Sequence, residues 1–90
     1  MFVILFYDIP KKKKKNNYLR IKKIAEQYLQ RIQYSTFEGT LTEATLFEMN
    51  TKLSEVVEED IDSVIIYSFL SMYHSKKLIL GIDKKDSIFI

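Results

Sequence analysis

Asp8 follows the run Phe2-Val3-Ile4-Leu5-Phe6-Tyr7 and precedes Ile9-Pro10, which places a lone carboxylate at the end of an otherwise uncharged segment. An unbroken apolar run reads as a strand covered on both faces. Pro10 lacks the N–H to continue a ladder, so Asp8 falls at the strand's carboxyl end. Sheets of α/β type commonly hold ligands at that end, which makes Asp8 the candidate ligand-holding group. Capping of the following helix is the simpler account of this segment taken alone. With no cysteine in the chain, disulfides, thiolate catalysis and cysteine-based zinc sites are all excluded, in keeping with a reducing compartment. His74 stands alone, which excludes histidine metal clusters.

The net charge of +2 hides a strong polarity along the chain. Through Phe37 there are nine basic residues (Lys11 to Lys15, Arg20, Lys22, Lys23 and Arg31) against Asp8 and Glu26, a net of +7. From Glu38 to Asp62 eight acids face Lys52 alone, a net of −7. One surface is therefore expected to attract polyanions and another to repel them. Ninety residues, 47% of them hydrophobic, make a single globular domain (1–90) whose small core favours oligomerisation. The apolar start is too short for a membrane span and lacks the basic start and cleavage site of a signal peptide, so the expected location is cytoplasmic, with no membrane partner.

The elements that must position Asp8 follow from periodicity. After Pro10 and five lysines, Asn16 or Asn17 caps a helix expected to run to about Arg31, with Ile21, Ile24, Ala25, Tyr28, Leu29 and Ile32 on its apolar stripe. Gln33 to Glu38 reads as a second strand stopped by Gly39. Thr40 or Thr42 caps a second helix, Thr40-Leu41-Thr42-Glu43 having capping-box spacing, with Leu46, Met49, Leu53, Val56 and Val57 as its core stripe and an end near Glu58-Glu59-Asp60. Ser63 to Phe69 is a further strand, and Lys77 to Ile82 and Ser87 to Ile90 are two short ones. This order predicts an α+β, ferredoxin-like sandwich of the βαββαβ type, with two helices on one face of a mainly antiparallel sheet. The apolar tail 78–90 is expected to pair with a second copy rather than leave an open edge.

Three segments in order, Phe6-Tyr7-Asp8-Ile9-Pro10, Asn17-Tyr18-Leu19-Arg20 and Arg31-Ile32-Gln33-Tyr34-Ser35-Thr36-Phe37-Glu38-Gly39, resemble the small CRISPR-associated endonuclease of the spacer-acquisition machinery, the ferredoxin-like partner of the CRISPR integrase. The likeness continues through Leu41-Thr42 and Asp62-Ser63-Val64-Ile65-Ile66-Tyr67. It implies a homodimer in which the two copies of Asp8 approach across the two-fold axis and hold magnesium or another divalent metal. One or two carboxylates, with waters and phosphate oxygens, satisfy such an ion. The implied activity is metal-assisted hydrolysis of phosphodiester bonds in RNA or double-stranded DNA. In that setting Tyr7, Ser35 and Phe37 shape the cleft, while Arg20 and Arg31 steady phosphates and Lys11, Lys12 and Lys13 meet the nucleic-acid backbone. The lysines depart from the family, many of whose members carry acids after the proline, and Thr36 stands where a small apolar or β-branched residue is usual.

Each assignment has a structural alternative. Tyr7 and Phe37 suit core or interface packing, and Ser35 is an ordinary strand residue. Arg20 suits a solvated helix face, Arg31 the negative end of a helix dipole, the lysines a solvated turn and His74 a surface loop. Two further functions compete with the nuclease. One is a non-catalytic dimeric scaffold that supports duplex DNA beside the integrase; the other is a related toxin endoribonuclease. A single-strand RNA reader is disfavoured, because no Lys/Arg-Gly-aromatic strand motif occurs.

Overall fold

The computed structural model describes residues 1–10, 17–71 and 74–83. Its elements are β1 (Phe2–Asp8), α1 (Asn17–Tyr28), β2 (Gln30–Gln33), β3 (Thr36–Thr40), α2 (Glu43–Val56), β4 (Ser63–Ser71) and β5 (His74–Gly81). The five strands form one sheet in the order β2-β3-β1-β4-β5, every neighbouring pair antiparallel. The predicted α+β, ferredoxin-like class is what forms. No helix among the described residues is long and apolar enough to cross a membrane.

Strand β1 occupies the centre because its side chains alternate. Val3 and Leu5 are completely buried and join Phe37, Val64 and Ile66 from neighbouring strands beneath Ile21, Ala25, Met49 and Leu53 of the two helices. The opposite parity, Phe2, Ile4 and Phe6, is not covered by any helix, and Phe2 and Phe6 are each 39% exposed. The expectation of a strand covered on both faces therefore fails within one chain. Among the described residues only one face has a layer above it.

Helix α1 stops at Tyr28 rather than near Arg31. Leu29 donates its N–H to the Ala25 carbonyl at 2.8 Å and closes the last turn, after which Gln30 and Arg31 pair in register with Glu38 and Phe37. Apolar spacing continued the helix on paper, but the unfilled ladder of β3 captured this stretch, and Ile32 ends 49% exposed instead of on a buried stripe. The single strand expected over Gln33 to Glu38 is a hairpin, β2 and β3, turning at Tyr34 and Ser35. Gly39 does not stop it. It pairs with Val3, and a Cβ there would meet Leu29 Cδ2 at 3.0 Å, so its bareness admits the buried leucine. At α2 the cap is Thr42, whose Oγ1 accepts from the Thr45 N–H at 3.1 Å. The helix ends at Val56, just before the acidic cluster as expected.

Asn17 opens α1 with its amide spent on a tertiary latch. Its Nδ2 donates to Asp62 Oδ2 at 3.0 Å and to the Val56 carbonyl at 3.3 Å, and Asp62 Oδ2 also accepts from the Glu58 N–H at 2.9 Å. Both Asn17 and Asp62 are buried, and satisfying the carboxylate with two donors is what makes that burial tolerable. Strand β5 begins earlier than expected, at His74, which is an exposed strand residue rather than a loop one. Leu78 to Gly81, the first part of the tail expected to pair with a second copy, lie in register with Ile66 to Ser63 of their own chain, where β4 offers a complementary apolar edge close in sequence. The rest of that tail, with the strand read at Ser87 to Ile90, falls on residues outside those described, as do Lys11 to Lys15.

Gly81 closes this corner with φ of +85°, and a Cβ added there would lie 1.9 Å from the Asp62 carbonyl oxygen. Gly81→Ala is expected to lower the unfolding free energy by about 2 kcal/mol or more in urea titrations followed by circular dichroism. Gly39→Ala, which meets only the flexible end of Leu29, should cost less.

Candidate functional site

Asp8 is the last residue of β1, exposed, and in register with Ser63 of β4. Its position in the pleat gives it the parity of Phe2, Ile4 and Phe6, the side of the sheet without helices. Beside it lies a hollow of about 320 Å³, lined by Tyr7, Asp8 and Ile9 from the end of β1, Tyr18 and Lys22 from α1, and Arg31, Tyr34 and Ser35 from the β2–β3 hairpin. Chain segments far apart in sequence thus converge on one carboxylate.

The hairpin is pinned to β1 at this point. The Tyr7 N–H donates to the Ser35 carbonyl at 3.0 Å, and the Tyr7 hydroxyl donates to the Tyr34 carbonyl at 3.4 Å. Arg31 sits with its guanidinium carbon 5.6 Å from the centroid of the Tyr34 ring, and its Nε–H donates to the Gln33 carbonyl at 3.4 Å. Lys22 and Arg31 together give the hollow two cationic groups beside Asp8, an arrangement suited to a phosphate.

Of the residues singled out by sequence, Asp8, Tyr7, Arg31 and Ser35 are brought together here. Phe37 is not in the lining. It is completely buried, its ring stacked 6.0 Å from that of Tyr7, so it supports the wall from beneath instead of shaping an open cleft. Arg20 is exposed on α1 and does not border the hollow. Two positions further along a helix is about half a turn round, whereas Tyr18 and Lys22, four apart, share a face. That spacing was legible in the sequence, but which face of α1 borders Asp8 was set by the packing of the helix. Tyr34 could not be found that way, since its place depends on a turn that propensity read as strand.

One chain offers little to a metal. Among the described residues no group of three or more His, Cys, Asp or Glu side chains gathers at one point. Asp8 contributes a single carboxylate, which fits an ion that keeps most of its waters and shares a second carboxylate with another copy.

Comparison with known proteins decides the family. The family model for CRISPR associated protein Cas2 matches residues 1–77. The chain belongs to the Cas2 family. It is 38% identical over 84 residues to CRISPR-associated endoribonuclease Cas2 2 of Archaeoglobus fulgidus, covering 93% of this chain and 87% of that one. Over 84 residues it is 32% identical to CRISPR-associated endoribonuclease Cas2 3 of Thermodesulfovibrio yellowstonii, covering 93% and 91%. Among solved structures, a crystal structure of cas2 superposes with a TM-score of 0.70 at 37% identity over 93% of this chain and 90% of the other. Streptococcus pyogenes Cas2 superposes with a TM-score of 0.61 at 27% identity, covering 77% and 86%. The resemblance carried by the Tyr-Asp-Ile-Pro and Arg-Ile-Gln-Tyr-Ser-Thr-Phe-Glu-Gly segments is borne out.

In this Cas2-family chain the Tyr7 phenol is held above its ordinary value of 10.0, chiefly by burial, against a downward pull from Arg31 and with a smaller upward push from Glu26. The folded state keeps the phenol proton longer than the unfolded one does. Its contribution to stability is therefore complete below the unfolded value and is lost as pH rises from there through the folded value. Between about pH 9 and about pH 11, denaturant titrations are expected to show a steeper loss of stability for the natural protein than for Tyr7→Phe, which has no phenol to ionise.

Proposed function

We infer that the chain is a divalent-metal-dependent endonuclease of CRISPR adaptation that acts as a homodimer on RNA or double-stranded DNA, with Asp8 from each copy at the two-fold axis. The observation carrying this reading is that Asp8 shares its side of the sheet with the uncovered apolar face. Phe2, Ile4 and Phe6 of β1 lie in register with Phe69, Tyr67 and Ile65 of β4 on that face. Their rings already meet one another, Phe2 with Phe69 at 6.3 Å, Phe6 with Tyr67 at 6.2 Å and Tyr67 with Phe69 at 6.4 Å. A contiguous apolar face of this kind calls for a cover. The uninterrupted apolar character of β1 is explained when a second sheet supplies it. Isologous packing through such a face sets equivalent residues near the axis opposite each other, and Asp8 closes the row.

Magnesium or another divalent ion, when bound, supplies water activation and neutralisation of charge on the scissile phosphate. The two Asp8 carboxylates hold it. Arg31 and Lys22 bind and orient phosphate oxygens in the adjoining hollow by charge-assisted hydrogen bonds. Tyr7 and Ser35 fix the hairpin that carries Arg31, so the cation stays aimed at the same place. No dedicated general base is part of this set, which is consistent with slow turnover.

The alternative is a dimeric scaffold that positions duplex DNA beside the CRISPR integrase through backbone contacts. It is favoured by the same two cations and by the scarcity of acid–base groups around Asp8. Family membership speaks against the toxin endoribonucleases.

Asp8→Asn separates the two. It is expected to cut magnesium-dependent cleavage of RNA and duplex DNA, read on denaturing gels, by more than about 100-fold while leaving duplex affinity unchanged. Cleavage that survives would remove the nuclease from Asp8 and leave the scaffold. In sedimentation, the natural protein is expected to be a dimer and the variant carrying Phe6→Glu with Tyr67→Glu a monomer, and the monomer should lose cleavage although Asp8 is intact. A monomeric natural protein would sink the two-carboxylate site.

A further inference from the structure

We propose that Tyr34 and Arg31 form a stacking platform for one unpaired nucleobase, placed so that a single strand whose phosphate occupies the Asp8 hollow lays its neighbouring base on the Tyr34 ring. This rests on the nucleic-acid reading of that hollow and adds to it a residue that selects unpaired over paired strands.

Tyr34 is 86% exposed at the tip of the β2–β3 turn, so its ring earns almost nothing from burial in the fold. The turn beneath it is nevertheless tied to β1. Tyr7 secures the Tyr34 carbonyl from its hydroxyl and the Ser35 carbonyl from its N–H, and Arg31 lies 5.6 Å from the ring centroid. An aromatic ring fixed at its base, associated with a guanidinium and open to solvent is the combination by which proteins stack single-stranded bases. Preorganisation by the cation removes part of the ordering cost that a free tyrosine would pay on binding.

Arg31 and Tyr34 border two hollows. One is the Asp8 hollow, and the other, of about 570 Å³, is lined among the described residues by Arg31, Ile32, Gln33 and Tyr34. The second is a shallow, open surface with no acidic residue among the described residues that line it, and β2, which forms it, lies at the edge of the sheet and is exposed throughout. A strand passing Lys22 and Arg31 with its phosphates therefore has room for a base beyond Tyr34 and a ring to stack it on. A base inside a duplex already has both faces covered by its neighbours. It gains the platform only by unstacking, so the ring favours unpaired nucleotides.

The test is direct binding in EDTA, where cleavage cannot interfere, using a short single-stranded RNA, the single-stranded DNA of the same sequence and a blunt duplex. Tyr34→Ala is expected to weaken binding of the single strands by roughly 5- to 100-fold and to leave duplex affinity unchanged, while Tyr34→Phe, which keeps a ring, stays within about twofold of the natural protein. An equal loss on duplex and single strand, or no loss on either, would overturn the proposal, as would a Tyr34→Phe variant as weak as Tyr34→Ala. Asp8→Asn is expected to keep the single-strand preference intact. The platform can thus fail while Asp8-dependent cleavage stands, and it can stand if that cleavage fails.

Discussion

The pleat of β1 governs this molecule. Flanked by β3 and β4, the strand sends Val3 and Leu5 into the helical layer and leaves Phe2, Ile4 and Phe6 on the other side, and period-two alternation then decides where Asp8 stands. A slip of one residue in either pairing would bury the carboxylate side under the helices and expose the core side, so the hydrophobic demand of Val3 and Leu5 protects the register on which the site depends. Stability and function are coupled through one strand. What keeps the core dry also keeps Asp8 at the rim of the face where a second copy would pack.

Around that strand the hollow is assembled from parts joined to one another by hydrogen bonds and ring packing. Tyr7 is at once a β1 residue, a donor to the hairpin tip and a ring stacked on buried Phe37, so the tip carrying Tyr34 is tied to the core through a single side chain. The opposite wall comes from α1, whose first residue, Asn17, is latched to buried Asp62 immediately before the strand position that pairs with Asp8. The Ile82 N–H donates to the Asp62 carbonyl at 2.8 Å, which joins the end of β5 to the same corner. Buried polar contacts of this kind add little net stability but penalise any rearrangement that would leave Asp62 without donors. They make the geometry around Asp8 specific.

Charge follows the same division. The basic first part of the chain supplies Lys22 and Arg31 to the hollow, and the acidic stretch from Glu38 to Asp62 supplies α2 and the loop after it, whose acids do not line that hollow. Tyr28 donates to Glu48 at 2.6 Å and Lys52 lies 5.1 Å from the Tyr28 ring, so the two helices meet through a polar network on the outer surface, away from the sheet. A polyanion approaching the protein meets attraction near Asp8 and repulsion along much of α2.

Much of this was written locally. Apolar runs fixed β1 and β4, the Thr40-Leu41-Thr42-Glu43 stretch marked the start of α2, and the acidic cluster marked its end, because caps and periodicity act over a few residues and need no partner. Asp8, Tyr7, Arg31 and Ser35 were named together through the family resemblance that their motifs carry, and the hollow brings these four side by side. The β2–β3 hairpin was not legible. Gln30 to Gln33 has helical apolar spacing and becomes strand only because β3 presents an unpaired edge, and this choice carried Arg31 off a helix end and raised Tyr34 to a turn. Phe37 looked like a cleft residue until its neighbours buried it, and Lys22 outranked Arg20 only once α1 had a defined side facing β1. The sequence alone determined which elements exist and what chemistry they can offer. Tertiary structure decided which side chains share a surface, because pairing and burial are settled between segments distant in the chain, where local preference has no say.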